Sequence, residues 1–277
     1  MRVLVKVALA LLLVCFSMAY ASAQTVPPNP QVAIAYQQPQ KREYLAIYNR
    51  LKDRKVLEEL KQFLAPLRLP KPLTIQVAQC GAQNRPYAGY GVATICYELL
   101  EQIERVAAGM KAESRSSVVA GAFIQAAMYN VSQAILDLLQ FPVWGRSGDA
   151  ADRLSAFVMQ HFGEDLAIQT VTATAVFFDA TKKTWTGSAF ADADSPEEQR
   201  FYNYLCIAYG GSPISFRFLV DKEDNQDPIL PWARARRCAG EYEQVRKAFN
   251  LRIMPYVDPE LLVWVKSREW LLPGDTR

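Results

Sequence analysis

Apolar residues recur at helical spacing over much of the chain. They are densest in residues 116–139, where Val119, Ala122, Phe123, Ala126, Ala127, Ile135, Leu138 and Leu139 cover more than one face of a helix. Such a helix has protein on most sides and is predicted to be the central one. Phe141-Pro142 stops it, residues 145–148 turn the chain, and Asp149 caps or opens a second helix with Leu154, Phe157 and Val158 on one side. Upstream, Tyr44, Leu45, Tyr48 and Leu51, then Val56, Leu57, Leu60, Phe63 and Leu64, predict two short helices or one bent one, ended by Pro66 and Pro70. Residues 73–78 alternate and are β-branched, so they read as a strand, with a second strand at 92–96. Further helices are read over 97–111, 165–181, 213–220 and 231–254, the last with Arg234, Arg236 and Arg237 on exposed positions. Another starts at Ser195-Pro196-Glu197-Glu198, a Ser cap with Pro in the first turn and Glu three residues after the cap, and carries Phe201, Tyr204, Leu205 and Tyr209. The fold class is therefore mainly α (α+β), with a small β-sheet of two or three strands.

The first 23 residues have a basic start at Arg2 and Lys6, an apolar run at 7–16 and a small-residue site at Ala21-Ser22-Ala23, which reads as a secretory signal cleaved near Ala23. The run is short for a permanent anchor, so no transmembrane segment is expected in the mature chain. Removal of residues 1–23 leaves 254 of 277, and the loss of Arg2 and Lys6 takes the formal charge from +3 to +1. A near-neutral protein lacks the dense basic footprint of a nucleic-acid binder. Residues 24–41, rich in Pro and Gln, are expected to be a flexible leader ahead of a domain at 42–257. Residues 258–277 form an apolar tail with Leu261, Leu262, Trp264, Trp270 and Leu271, which either docks on the core or offers a partner surface. The mature chain keeps Cys80, Cys96, Cys206 and Cys238, an even number in an exported protein, which suits a periplasmic or secreted location and allows three disulfide pairings. The acidic run 221–227 lacks the glycine and terminal Glu of an EF-hand and reads as solvated surface. Asn130-Val131-Ser132 matches a glycosylation sequon but lies mid-helix among buried neighbours.

Several blocks in fixed order carry a family resemblance. They are Cys80-Gly81 with Asn84 and Tyr87, then Cys96-Tyr97-Glu98-Leu99, the long apolar helix, Phe141-Pro142-Val143 with Gly145-Arg146, Asp149-Ala150-Ala151-Asp152, Phe201-Tyr202-Asn203 with Leu205-Cys206, and Cys238 ahead of Glu241-Tyr242-Glu243-Gln244. Together they resemble a bacterial family of exported zinc metallopeptidases of unassigned biology. The resemblance implies a zincin-like helical domain whose central helix carries HExxH, with an acidic third ligand in the following loop, as in gluzincins. Two His one helical turn apart bind zinc, and the intervening Glu serves as general base for its water. Laid on this sequence, the first His falls on Tyr129, the Glu on Asn130, the second His on Gln133 and the third ligand on Gly148. A neutral phenol, two amides and a residue without a side chain cannot do those jobs. Asp149 and Asp152 match the end of the family motif, where Asp152 orients a ligand and does not bind metal. The resemblance also favours pairing Cys80 with Cys96 and Cys206 with Cys238, each closing a local loop in a segment where the family has its own cysteines. The chain has one histidine, His161, so no HExxH stands elsewhere.

Three functions follow as expectations. The first is a non-catalytic metallopeptidase homologue without catalytic residues or cofactor, keeping the cleft as a surface for a peptide or envelope protein, with Asn84 and Tyr87 as cleft residues and the strand at 92–96 open to strand addition. Here Tyr129, Asn130 and Gln133 fill the former metal cavity and hydrogen-bond among themselves. The second is a metalloenzyme with a different ligand set drawn from Asp149, Asp152, His161 and Glu98. The third is a cell-envelope structural or assembly protein that uses the C-terminal tail.

Overall fold

The computed structural model describes residues 31–81, 91–181, 195–221 and 228–267. Its small sheet has three strands, β1 (Val32–Tyr36), β2 (Leu73–Ala78) and β3 (Val92–Cys96), in the order β1-β2-β3 with both pairs parallel. In β2 the alternation dictates the placement, since Leu73, Ile75 and Val77 are fully buried while Thr74 and Gln76 are half-buried. Two short helices, α1 (Leu45–Asp53) and α2 (Val56–Phe63), form the crossover between β1 and β2, hinged at Lys55, whose φ of 53° is left-handed.

After β3 come α3 (Tyr97–Ala108) and the 27-residue α4 (Ala112–Leu138). Burial on nearly all sides from Val118 to Leu138 makes α4 the axis of the molecule, against β3, α3, α5 and α6. It is apolar and long enough to cross a membrane, but 83% of its most apolar window is buried inside the protein, as suits a core helix. Gln140 ends it with a φ of 47°, and the Phe141 amide donates back to the Leu136 carbonyl, a Schellman-type stop completed by Pro142.

The chain then forms α5 (Ser147–Met159), α6 (Glu164–Thr181), α7 (Glu197–Gly211), α8 (Trp232–Ala235), α9 (Cys238–Arg252) and α10 (Pro259–Ser267). One core joins the sheet to α4, and a second lies between α5, α6, α7 and α9. Disulfides link Cys80 to Cys96 beside the sheet and Cys206 to Cys238 within the second core, the pairing that the resemblance implied. At Gly210 a Cβ would lie 2.2 Å from the Cys238 carbonyl oxygen, so the absence of a side chain there lets α7 meet α9 at the second bridge. Two disulfides suit a compartment outside the reducing cytoplasm.

The mainly α fold with a small sheet and two local disulfides holds. Several local expectations do not, among them Asp149 as the opening of α5, which starts two residues earlier at Ser147. The leader is not flexible throughout, because Val32–Tyr36 adds a strand to β2: Val32 is buried, and the Tyr36 hydroxyl donates to Glu58 and accepts from the Leu57 amide, which anchors the strand to α2. The helix read over 231–254 is two, broken at Arg236 and Arg237 so that Cys238 turns inward to Cys206. Arg234 is not an exposed charge but makes two hydrogen bonds to Glu241 at 2.5 and 2.8 Å. The 213–220 segment has only a 3-10 turn, Arg217–Leu219. The tail docks as far as it is described: Leu67 bridges Val257, Arg68 pairs with Asp258, and Val265 is buried in the main core. Trp270, Leu271 and almost all of the acidic run lie outside the described residues.

At Gly121 a Cβ would come within 2.5 Å of the Ala173 Cβ and 2.9 Å of the Gln169 carbonyl oxygen, whereas at Gly240 it would meet nothing within 4 Å. Both substitutions gain the same helix propensity, so the contrast isolates the α4–α6 contact. Gly121→Ala is expected to lose about 1–3 kcal/mol and Gly240→Ala to gain about 0.5–1 kcal/mol in urea titration. Equal behaviour would contradict the close approach.

Candidate functional site

Helices α4 and α5 lie side by side, and the four positions that the resemblance assigned to metal binding are on them. Tyr129 and Gln133 are one turn apart on α4, and the Gln133 amide nitrogen donates to the Tyr129 hydroxyl at 3.0 Å. Asn130 is buried and donates to the Ala126 carbonyl of its own helix at 2.8 Å. The expected network among the three is thus a Tyr129–Gln133 pair, with Asn130 satisfied separately. Burial of Asn130 and Ser132 also leaves the sequon without an accessible acceptor. Gly148 is buried in the first turn of α5, one turn before Asp152.

The centre of this arrangement is Arg200 of α7. Its Nε and Nη2 donate to the two carboxylate oxygens of Asp152 at 2.6 and 2.9 Å. The guanidinium carbon lies 4.5 Å from the Tyr129 ring centroid and 5.5 Å from that of Phe178. The Asp152 side chain is fully buried and that of Arg200 is 9% exposed, so this is a desolvated, bidentate ion pair capped by aromatic faces. One turn further along α7, Tyr204 is fully buried, and burial with the nearby Asp152 charge pushes its phenol pKa well up, so it stays neutral. Beside the pair, the Ser195 hydroxyl donates to Asp149 at 2.8 Å and accepts from Arg146 at 3.3 Å. Ser195 was expected to cap α7. Instead Pro196 occupies the cap, and the hydroxyl ties the start of α7 to α5.

The other residues singled out from the sequence are not brought here. Glu98 accepts from the backbone amides of Cys80 and Gly81, pinning the first disulfide loop. His161 follows α5 in a 3-10 turn, edge-on to Phe157 and lining a different cavity. Asn84 and Tyr87 lie outside the described residues. Asp149, Asp152, His161 and Glu98 therefore do not form a ligand set. The one group of three potential ligands within reach of each other among the described residues is Cys80, Cys96 and Glu98, and its two sulfurs are joined to each other.

Residues 36–252 match the model of a family described as "Putative metallopeptidase". The chain belongs to this family. No curated protein matches it, and no solved structure does.

A metallopeptidase needs a metal, and zinc sites are built from imidazole, thiolate and carboxylate. In this member of the family, Tyr129 and Gln133 are engaged with each other, Asn130 with its own backbone, Gly148 offers no side-chain donor atom, and the Asp152 carboxylate has both oxygens on a permanent cation. A divalent ion at this place would meet the Arg200 charge at short range in a low-dielectric setting, where repulsion is strong. The residues present do not fit zinc. Sequence reading missed Arg200, although the signal was there: it shares the buried stripe of α7 with Tyr204 and Ile207, as Asp152 shares that of α5 with Ala151 and Ser155. A cation on one apolar stripe and an anion on another imply a pair.

Breaking a buried pair leaves an uncompensated charge. Arg200→Met and Asp152→Leu are each expected to cost about 3–5 kcal/mol in denaturant titration, with the double variant recovering most of the loss. Additive losses below ~1 kcal/mol would show that the pair holds nothing together. Burial, with Lys266 adding, pushes the His161 imidazole below its ordinary value near 6.5. The folded state keeps it neutral while the unfolded chain protonates it. Its contribution is therefore complete above the unfolded value, about 6.5, and is lost as the pH falls toward the folded value. His161→Gln should flatten the acid-side decline of stability just below that pH, and an unchanged profile would contradict the assignment.

Proposed function

We propose that this protein is a non-catalytic member of its family, exported by cleavage of a signal near Ala23, whose metal-binding position is held by an arginine. The observation that supports this reading is the Arg200–Asp152 pair stacked on Tyr129: a guanidinium lies against one residue that the resemblance assigns to zinc binding and one that it assigns to orienting a ligand. Hydrolysis of a peptide bond by metal requires a bound water of lowered pKa and a base beside it. Neither Asn130 nor Gln133 can accept a proton near neutrality, and the carboxylate of Asp152 is committed to Arg200. The reading keeps a peptide or an envelope protein as the partner. Residues 93–96 of the edge strand β3 are buried, so such a partner would be held by side chains and not by strand addition. The apolar tail serves the core as far as Val265, which takes weight from the rival reading of the tail as an assembly surface.

The test is elemental analysis of protein purified from zinc-supplemented medium, with cleavage assays on unfolded protein substrates with and without chelator. Substoichiometric zinc, no chelator-dependent shift in Tm and no cleavage are expected. One zinc per chain, or cleavage abolished by chelator, would overturn the proposal.

A further inference from the structure

On the face of α4 next to the Tyr129 face, Met128, Ser132 and Ile135 look into a cavity of about 320 Å³ enclosed by α5, α9 and α10. That volume lies within the range of sites for small molecules. Its walls are apolar, with the aromatic rings of Phe157, Tyr242 and Phe249 on one side and Leu262 and Val265 of the docked tail on the other. The charged residues in its lining are Arg246 and Lys266, with no Asp or Glu among the described lining residues, and His161 joins them as a neutral imidazole. Lys266 and Arg246 are exposed while lining the cavity, so they mark its mouth, and His161 is half-buried just inside. Arg246 is already paired with Glu243 by two hydrogen bonds, at 2.6 and 2.7 Å, so Lys266 supplies the cation of the rim.

A largely apolar chamber of this size favours a hydrocarbon occupant, and the Lys266 ammonium at its mouth favours an anionic end group. We propose that this cavity is a binding site for a free medium-chain fatty carboxylate, its chain among Met128, Ile135, Phe157 and Phe249 and its carboxylate at Lys266. The occupant takes its shape from the hydrocarbon volume and its sign from the rim. The site shares α4 and α5 with the Arg200 centre but none of its side chains, so it stands whether or not the protein is catalytic.

The test is calorimetric titration of the full chain with decanoate, decanol and decyltrimethylammonium, each below its micelle-forming concentration. Decanoate is expected to bind one to one and at least about tenfold more tightly than decanol, the difference of a charge-assisted contact, with the cation weakest. Lys266→Gln, a surface change that leaves the core intact, should bring decanoate toward decanol without altering decanol. Leu262→Trp, which fills the chamber from the half-buried side of α10, should abolish both with circular dichroism unchanged. Equal affinity for the three probes, no binding of decanoate, or binding indifferent to both substitutions would overturn the proposal. Binding of decanoate that survives Leu262→Trp would place it elsewhere on the surface and overturn it equally.

Discussion

Taking a guanidinium and a carboxylate out of water is costly, and a protein that does so must supply geometry good enough to compensate. Arg200 and Asp152 are such a pair, and the arrangement of α4, α5, α6 and α7 follows from keeping them together. The carboxylate comes from the second turn of α5, the guanidinium from the first turn of α7, one aromatic lid from α4 through Tyr129 and another from α6 through Phe178. Any of these helices displaced by a fraction of a turn would leave a charge buried without its partner. Ser195 repeats the constraint a few residues earlier by tying the start of α7 to Asp149. The Cys206–Cys238 bridge then fixes the other end of α7 to α9. Helix α7 is thereby held at both ends, electrostatically at one and covalently at the other.

The remainder of the molecule gives α4 the surroundings that it needs. A helix apolar on every side is unstable in water, and here the parallel sheet covers one flank while α5 and α6 cover the others. The first disulfide and the Glu98 carboxylate tie the chain just after β2 to the end of β3 and the start of α3. The docked tail completes the enclosure from the far side and in doing so forms the apolar chamber lined by Met128 and Phe249.

Most of the fold was legible in the sequence, because burial sets period. The alternation of Leu73, Ile75 and Val77 and the dense apolar run from Val118 to Leu138 could be placed from spacing alone. The first strand was hidden by its flanks: the proline and glutamine around it read as leader, while Val32 and Ile34 are too few to stand out until β2 is there to pair with them. The break at Arg236 was hidden because nothing local forbids a helix there, and the geometry of a distant disulfide does. At the centre, the sequence showed that Tyr129, Asn130, Gln133 and Gly148 stand at the positions the resemblance assigns to zinc, but not that an arginine lies against Tyr129. That arginine comes from a helix 48 residues beyond Asp152, at the start of which Ser195 read locally as a cap.

The central claim is that a guanidinium stands in the place of a metal ion, and it is tested most directly by putting the metal ligands back. Two proteins would be compared in zinc titrations: Tyr129→His, Asn130→Glu, Gln133→His and Gly148→Glu together, and the same four with Arg200→Met. If Arg200 holds the cation's place, zinc should bind stoichiometrically and more tightly by at least about tenfold when the arginine is gone. Equal and tight zinc binding in the two proteins would contradict the claim.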